Sequence, residues 1–390
     1  MPGIEDSPVA AGRRLGEAAA SHSVKSEAAR RLTSEVADAV VEAGFPRHFV
    51  PSRWGGTEGT FLDCVQAAAH AAEGDPSAAW VASVVASLGR MAAYLPEEGQ
   101  RALWQRTPDV FLACGLVASG TATAVDGGWR VSGVWQYVSG IHFSDWALVA
   151  CPVPCGEAGQ EVRFLLVPRA SYSVEDSWFT VGMRATGSDS LCIEETFVPR
   201  EFSFARSALL AGTPPEGAPV TSAVPLRAVS GLTFAGPILG AAREALRVFG
   251  ADLASRRASG PGHRVLHGND VGAEAALARS TSRTEAAGLL LEQAAAEADR
   301  GVASAAVTAR LALHHAAATE LLTQAVDSIV RLSGTSSYDQ AAPLQRLWRD
   351  TATAASHAVL RFEPAGREYV STLVTESGSA VTTGGQEKGR

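Results

Sequence analysis

The spacing of apolar residues changes twice along this chain. Up to about residue 105 it is helical, with Ala29, Leu32, Val36, Val40 and Val41 sharing one face. Pro46, Pro51 and the Gly55-Gly56 pair in "GFPRHFVPSRWGG" end that helix in a turn. A second helix is predicted near 61–73 and a third near 76–94, where Asp75 supplies the N-cap and Pro76 the first helical position. "PEEGQRALW" starts another short helix. From about 110 to 200 the period falls to two, in short runs such as "DWALVACPV" and "VRFLLVP" separated by Gly, Pro and Asp. Beyond the Pro/Gly-rich connector "AGTPPEGAPV" (211–220), residues 225–375 return to long alanine-rich helical patterns. Two glycine-bearing loops, "SRRASGPGHRVLHGND" and "RLSGTSSYDQAAP", interrupt them.

This order predicts an α+β protein with an N-terminal helical domain over residues 1–108 and a central β-barrel or sandwich over 109–205. A C-terminal helical bundle follows over 206–376. The tail from 377 to 390 has too little apolar content to pack and is expected to be disordered.

One stretch stands out inside the β-region. "GWRVSGVWQYVSGIHFSDW" is rich in aromatics, and a period of two places Trp129, Val131, Gly133, Trp135, Tyr137 and Ser139 on one side of a strand. The row ends on a serine followed by Gly140, where a core strand would end on a residue that packs.

Composition narrows the functional classes. A net charge of -8 without a basic run gives no footprint for nucleic acid. The five cysteines are odd in number and scattered, and "CPVPC" has no second Cys/His pair to complete a metal site, so free thiols in a reducing compartment are expected. The N-terminus lacks an apolar signal region, and no apolar stretch reaches the ~18 residues of a membrane span. A cytoplasmic protein is expected. Neither G-x-G-x-x-G, a P-loop, G-x-S-x-G nor H-E-x-x-H occurs, which removes the familiar nucleotide, hydrolase and zinc-protease readings.

What remains is a set of isolated polar and aromatic residues. Taken singly, Ser139 is a turn serine, Arg227 a surface residue at a helix end, and Arg256 and Arg257 cations at a helix C-terminus. His357 is a structural histidine, and Trp80 and Tyr137 are core aromatics. On residue chemistry alone the chain is a soluble helical–β–helical protein.

Taken in order, several strings add to this. "GFPRHFVPSRWGG", "GGWRVSGVWQYVSG", "GMRATGSDSLCIEETFVP", "GPILGAAREAL", "SRRASG" and "RLWRD" together resemble the acyl-CoA dehydrogenase superfamily over about residues 12 to 375. The dehydrogenase branch uses a glutamate base, either after an Arg-Asp pair or ahead of "GPILG". Here those places hold Ala358 and Ser230, and without a carboxylate there is no base for an unactivated α-proton. "WQYVSGIHFSDWALV" and the histidine of "RDTATAASHAV" are closer to the other branch, the two-component flavin-dependent monooxygenases.

That resemblance implies a set of roles. Ser139 would meet the flavin near N5 and help hold a C4a-hydroperoxide, and His357 would lie beside the ring or the substrate. Tyr137 would pack near the ring. Arg256 would reach a flavin phosphate across a subunit interface, with Ser333 and Gly334 of "SGTSS" near the adenosine. Trp80, Leu88 and Arg227 would line or orient the substrate. Members that hydroxylate phenols tend to carry histidines after a tryptophan like Trp80, where this chain has Leu88 and Arg90.

The expected cofactor is FAD, taken as FADH2, with FMN as the alternative. No nicotinamide fingerprint is present, so a separate NAD(P)H:flavin reductase is the expected partner, along with O2 and an aromatic, indole-like, phenolic or amine substrate. A homotetramer and a role in natural-product biosynthesis are further expectations. An N-oxygenase, an acyl thioester desaturase and a flavin-free helical assembly protein remain as alternatives.

Overall fold

A computed structural model of the chain describes residues 7–155, 159–258, 270–302 and 304–384. Five helices come first: α1 (Pro8–Ala29), α2 (Ser34–Glu42), α3 (Phe61–Gly74), α4 (Pro76–Ala92) and α5 (Glu97–Trp104). The single helix expected through Val41 is in fact two. Arg30 adopts a left-handed conformation (φ 54°) and its N–H closes the end of α1, while the Thr33 hydroxyl accepts from Val36 N–H to start α2. The break is put to use: the Arg30 guanidinium donates to the Trp178 carbonyl at 3.1 Å and to Asp176 at 2.7 Å, tying this corner to the β-region. Asp75 caps α4 as expected, accepting from Ala78 N–H at 2.9 Å.

Eight strands follow: β1 (Leu112–Gly115), β2 (Thr121–Val125), β3 (Gly128–Trp135), β4 (Trp146–Pro154), β5 (Gln160–Pro168), β6 (Ser173–Glu175), β7 (Ser190–Pro199) and β8 (Ser203–Ala205). They form two four-stranded sheets, in the orders β1-β4-β5-β8 and β2-β3-β7-β6. Trp129, Val131 and Trp135 of β3 pack between the sheets against Val149, Leu165 and Ile193. The opposite face of the first sheet is also covered: Leu148, Phe164 and Leu166 pack against Leu95 and Trp104. Burial on both faces is why β4 reads as an almost unbroken apolar run rather than an alternation.

The C-terminal part comprises α6 (Arg206–Ala211), α7 (Leu226–Ala258), α8 (Asp270–Asp299), α9 (Ala305–Leu332), α10 (Pro343–Ala355) and α11 (Phe362–Gly384). Helix α7 runs through the centre of the largest core, against α3 and α4 on one side and α8 and α9 on the other. Its approach to α3 is close enough that a Cβ at Gly240 would fall 1.9 Å from the Ala69 carbonyl oxygen. Helix α11 continues through Gly384, so the segment expected to be a disordered tail is helical to that point, and 385–390 lie outside the described residues. So does most of the glycine-bearing loop after Arg257. None of the described helices is long and apolar enough to cross a membrane, and no group of three metal-ligating side chains occurs among the described residues.

Candidate functional site

The row from Trp129 to Ser139 does not run as one strand. A register shift lies between Val131 and Gly133, β3 ends at Trp135, and Tyr137 turns into the left-handed region with φ 63°. Trp135 is therefore 1% exposed and Tyr137 66%, on different sides, which corrects the expectation that the two share a face. The chain then pairs with a different partner. Val138 N–H donates to the Asp189 carbonyl at 3.1 Å and Gly140 N–H to the Thr186 carbonyl at 2.9 Å. Gly140 takes φ 71°, and a Cβ there would meet Val81 and Phe111 at 3.0 Å, so glycine answers both the turn and the close approach to α4.

This pairing sets Ser139 opposite Ser188, with their hydroxyls 2.8 Å apart. Ser188 in turn is 2.7 Å from the Thr186 hydroxyl, and Thr186 donates to the Met183 carbonyl at 2.9 Å. At the other end the indole Nε1–H of Trp80 donates to Ser139 Oγ at 3.1 Å. The two ends fix the direction of every proton between them. A carbonyl only accepts and an indole N–H only donates. Thr186 spends its proton on Met183, so Ser188 donates to Thr186 and Ser139 donates to Ser188. Ser139 is left with one unused lone pair: it is an acceptor toward anything placed against it.

The surroundings of Ser139 are aromatic. Trp80 lies on Phe234 of α7 with centroids 4.7 Å apart, and the His357 ring stacks on Phe234 at 3.9 Å and meets Trp80 edge-on at 5.9 Å. Burial lowers the His357 pKa to about 4, so it is a neutral ring at pH 7. Tyr137 packs edge-on against Trp178 at 6.1 Å. The Trp178 loop is anchored by Asp189, whose carboxylate accepts the N–H groups of Ser177 and Trp178 and lies 2.6 Å from His142. Burial pushes the Asp189 pKa up, but these contacts outweigh it and hold the group below its ordinary value.

A narrow cleft runs between α4 and α7 from the turn beyond Trp80. The space between them is about 400 Å³ when its open mouth is included, with an interior wide enough for about one water (about 30 Å³). Ser83, Ser87, Arg90 and Met91 line it from α4, and Leu226, Val229, Ser230 and Thr233 from α7. No aspartate or glutamate is among the lining residues. Leu88 does not line this cleft. It points to the opposite face of α4, 2% exposed, packing with Val50, Leu112 and Leu148. Arg227 is half exposed and is spent on an ion pair with Glu368 of α11.

A second group lies at the end of α7. Arg256 pairs with Asp252 and donates to the Ser333 carbonyl at 3.3 Å, so the structure brings this arginine to the "SGTSS" loop. Gly334 has φ 78° and open space where a side chain would be.

Of the residues singled out in the sequence, Ser139, Trp80 and His357 converge, and Arg256, Ser333 and Gly334 form a separate group. Phe234, Thr186 and Ser188 carry the site equally and were not singled out. The latter two sat in plain view in "GMRATGSDS", where their alternation with Gly187 is the signal of a short hydroxyl ladder.

Comparison with known proteins gives the family and the fold. Residues 232–362 match the family model for the acyl-CoA dehydrogenase C-terminal domain. A flavin-dependent monooxygenase oxygenase subunit, HsaA, of Rhodococcus jostii (strain RHA1) is 30% identical over 370 residues, 92% of this chain and 95% of that protein. The chain belongs to the flavin-dependent monooxygenases, as an oxygenase component. An FADH(2)-dependent resorcinol hydroxylase oxygenase component from Rhizobium sp. (strain MTP-10005) is 28% identical over 367 residues, 88% of each chain. The crystal structure of 3-HSA hydroxylase from Rhodococcus sp. RHA1 superposes with a TM-score of 0.89 at 25% identity, covering 95% of this chain and 98% of that one. The monooxygenase is built on the acyl-CoA dehydrogenase fold, and neither aspartate nor glutamate lines its cleft.

Proposed function

We propose that this oxygenase component takes reduced FAD from a separate reductase and, with O2, hydroxylates an aromatic or heteroaromatic small molecule. The observation that carries the reading is the directed chain of hydroxyls that ends at Ser139 beside the packed rings of Trp80, Phe234 and His357. The donor set fits the cofactor: reduced flavin carries a hydrogen on N5, and Ser139 has an acceptor lone pair and no proton to spare. When bound, the reduced flavin supplies the two electrons that activate O2, so that one oxygen atom enters the substrate and the other leaves as water.

The protein's own part is to hold and to exclude. Ser139 holds the N5 proton in place by accepting from it, and its own proton stays fixed toward Ser188. Trp80 fixes the serine rotamer. Trp80, Phe234 and the neutral His357 keep water from the reacting ring, in surroundings where a hydrogen bond is worth more than in water. Tyr137 and Trp178 offer exposed ring surface for a planar cofactor. Arg256, Ser333 and Gly334 would hold the adenosine diphosphate, which favours FAD over FMN. The relative named as FADH(2)-dependent supports the same choice. A homotetramer is supported by apolar side chains left open on the C-terminal helices, among them Leu289 (69% exposed) and Val374 (67%).

The test is a coupled assay with an NADH:flavin reductase, FAD, O2 and a set of indoles and phenols, reading product mass and H2O2 together. The proposal predicts a product one oxygen heavier, with Ser139→Ala diverting reduced flavin into H2O2. Consumption of reduced flavin without any oxygenated product across the whole set, at the rate seen without protein, would overturn it.

A further inference from the structure

The cleft between α4 and α7 contains a buried cation for which the described residues provide no anion. Trp80, Ser83, Ser87 and Arg90 fall at intervals of three and four, on one face of α4. Arg90 is 2% exposed. Its Nε donates to the Thr221 carbonyl at 2.9 Å, and its Nη2 is shared between the carbonyls of Ser222 and Val224. Phe61 faces the guanidinium at 5.5 Å. These are dipoles and a ring; none carries a negative charge. Among the described residues Nη1 has no acceptor in the protein, and Arg90 lines the cleft.

A buried guanidinium is costly unless an anion compensates it, and removing water from it makes an incoming carboxylate more valuable. Burial lowers the Arg90 pKa to about 10, so the group remains a cation at neutral pH. Its place along the helix also matters. Ten residues of α-helix separate it from Trp80, about 15 Å. It therefore lies too far from Ser139 and His357 to act on the ring being oxygenated, and at the right remove to receive the far end of an extended molecule.

We propose that the cleft selects aromatic substrates bearing a carboxylate on a chain remote from the reacting ring, and that Arg90 receives that carboxylate through Nη1. Ser83 and Ser87 line the cleft on the Trp80 side of Arg90, and Met91, with its flexible side chain, is the residue able to yield as the narrow interior opens. This rests on the monooxygenase reading above, in that the reacting ring is placed at the Ser139 end.

The test uses the full chain under anaerobic conditions with reduced FAD, and separately without flavin. Calorimetry measures binding of indole-3-butyrate and of its neutral amide, and of matching phenyl- and naphthyl-alkanoate pairs. A charge-assisted hydrogen bond predicts that the acid binds about tenfold tighter or more for at least one pair. Arg90→Gln should bring that ratio close to one, and Arg90→Lys should retain most of it. Ser87→Asp, which sets a carboxylate one turn from Arg90 without touching its carbonyl partners, should also abolish the preference and covers the case in which Arg90→Gln fails to fold. Acids that bind no tighter than amides in the wild-type protein, or fail to bind at all, overturn the proposal, as does a preference that survives both Arg90→Gln and Ser87→Asp. The monooxygenase reading fails differently, by loss of reduced-flavin binding and of oxygenated product, whatever the ratio of acid to amide.

Discussion

The indole N–H of Trp80 donates to Ser139 Oγ across 3.1 Å, joining a helix of the N-terminal part to a turn of the β-region. Because Trp80 only donates, the serine hydroxyl must send its own proton elsewhere, and Ser188 receives it at 2.8 Å. Trp80→Phe keeps the contact with Phe234 but frees the Ser139 lone pair that the indole occupied. A lost hydrogen bond of about 0.5–1.5 kcal/mol corresponds to a roughly 2- to 10-fold change in a rate or equilibrium. The expected outcome is a rise of that order in H2O2 released per reduced flavin consumed, measured in the coupled assay. Unchanged coupling would show that Trp80 does not act through the serine.

The far end of the hydroxyl chain gives a sharper prediction, because Thr186 is held away from the aromatic rings by Ser188. Thr186→Val removes the group that receives the Ser188 proton, so Ser188 is free to turn that proton toward Ser139. Ser139 can then rotate and present a donor in place of an acceptor. H2O2 release should increase with little change in Tm, and by less than in Ser139→Ala. The two variants compared side by side in the same assay decide the order.

His357 links the site to pH. Its pKa lies near 4, against an ordinary 6.5, because burial against Phe234 and Trp80 penalises the charged ring. As pH falls from 6.5 toward 4 the unfolded chain binds this proton while the folded chain does not, so the contribution of this group to stability falls across that window; above 6.5 it is constant. His357→Phe keeps a ring against Phe234 and removes the titration. Thermal scans from pH 7 to 4.5 should show a shallower fall in Tm for the variant than for the wild type. Parallel curves would contradict the buried, neutral assignment.

The contact between α7 and α3 sets the spacing of two helices at the cleft, which α3 lines through Phe61, Cys64 and Val65. With the Ala69 carbonyl oxygen 1.9 Å from any Cβ at Gly240, Gly240→Ala must push α7 and α3 apart. Overpacking of this kind costs about 1–3 kcal/mol. A Tm lower by several degrees is expected in a thermal scan, with flavin affinity changed much less.

How much of this was legible in the sequence follows from how local each signal is. Asp75 and Pro76 announced the start of α4 because a cap is written in adjacent residues. The two switches between helix and strand were equally plain, since hydrophobic period is a property of short windows. The break at Arg30 was not: an arginine in the left-handed region has no sequence mark, and its reason, the bonds to Asp176 and the Trp178 carbonyl, lies about 150 residues away. The row through Ser139 misled for a similar reason. Period two continued past Trp135 on paper, but the segment from Val138 to Gly140 had a better partner in Thr186–Asp189. Leu88 and Arg90, two residues apart on one helix, face a core and a cleft respectively, and only the packing of α4 between β-region and α7 decides which. Resemblance pointed to Ser139 and His357; the hydroxyl chain that gives the serine its polarity needed the tertiary structure.

On the proposed function, Ser139 presents an acceptor to a reduced flavin and so governs how oxygen is used. The most direct test mixes the protein, loaded anaerobically with reduced FAD, with oxygenated buffer and follows absorbance on the millisecond scale. A transient species, distinct from both reduced and oxidised flavin, is expected to outlive the same reaction in free solution and to decay faster in Ser139→Ala. Oxidised flavin forming at the free-solution rate in the wild-type protein, or an equal lifetime in both proteins, would contradict it.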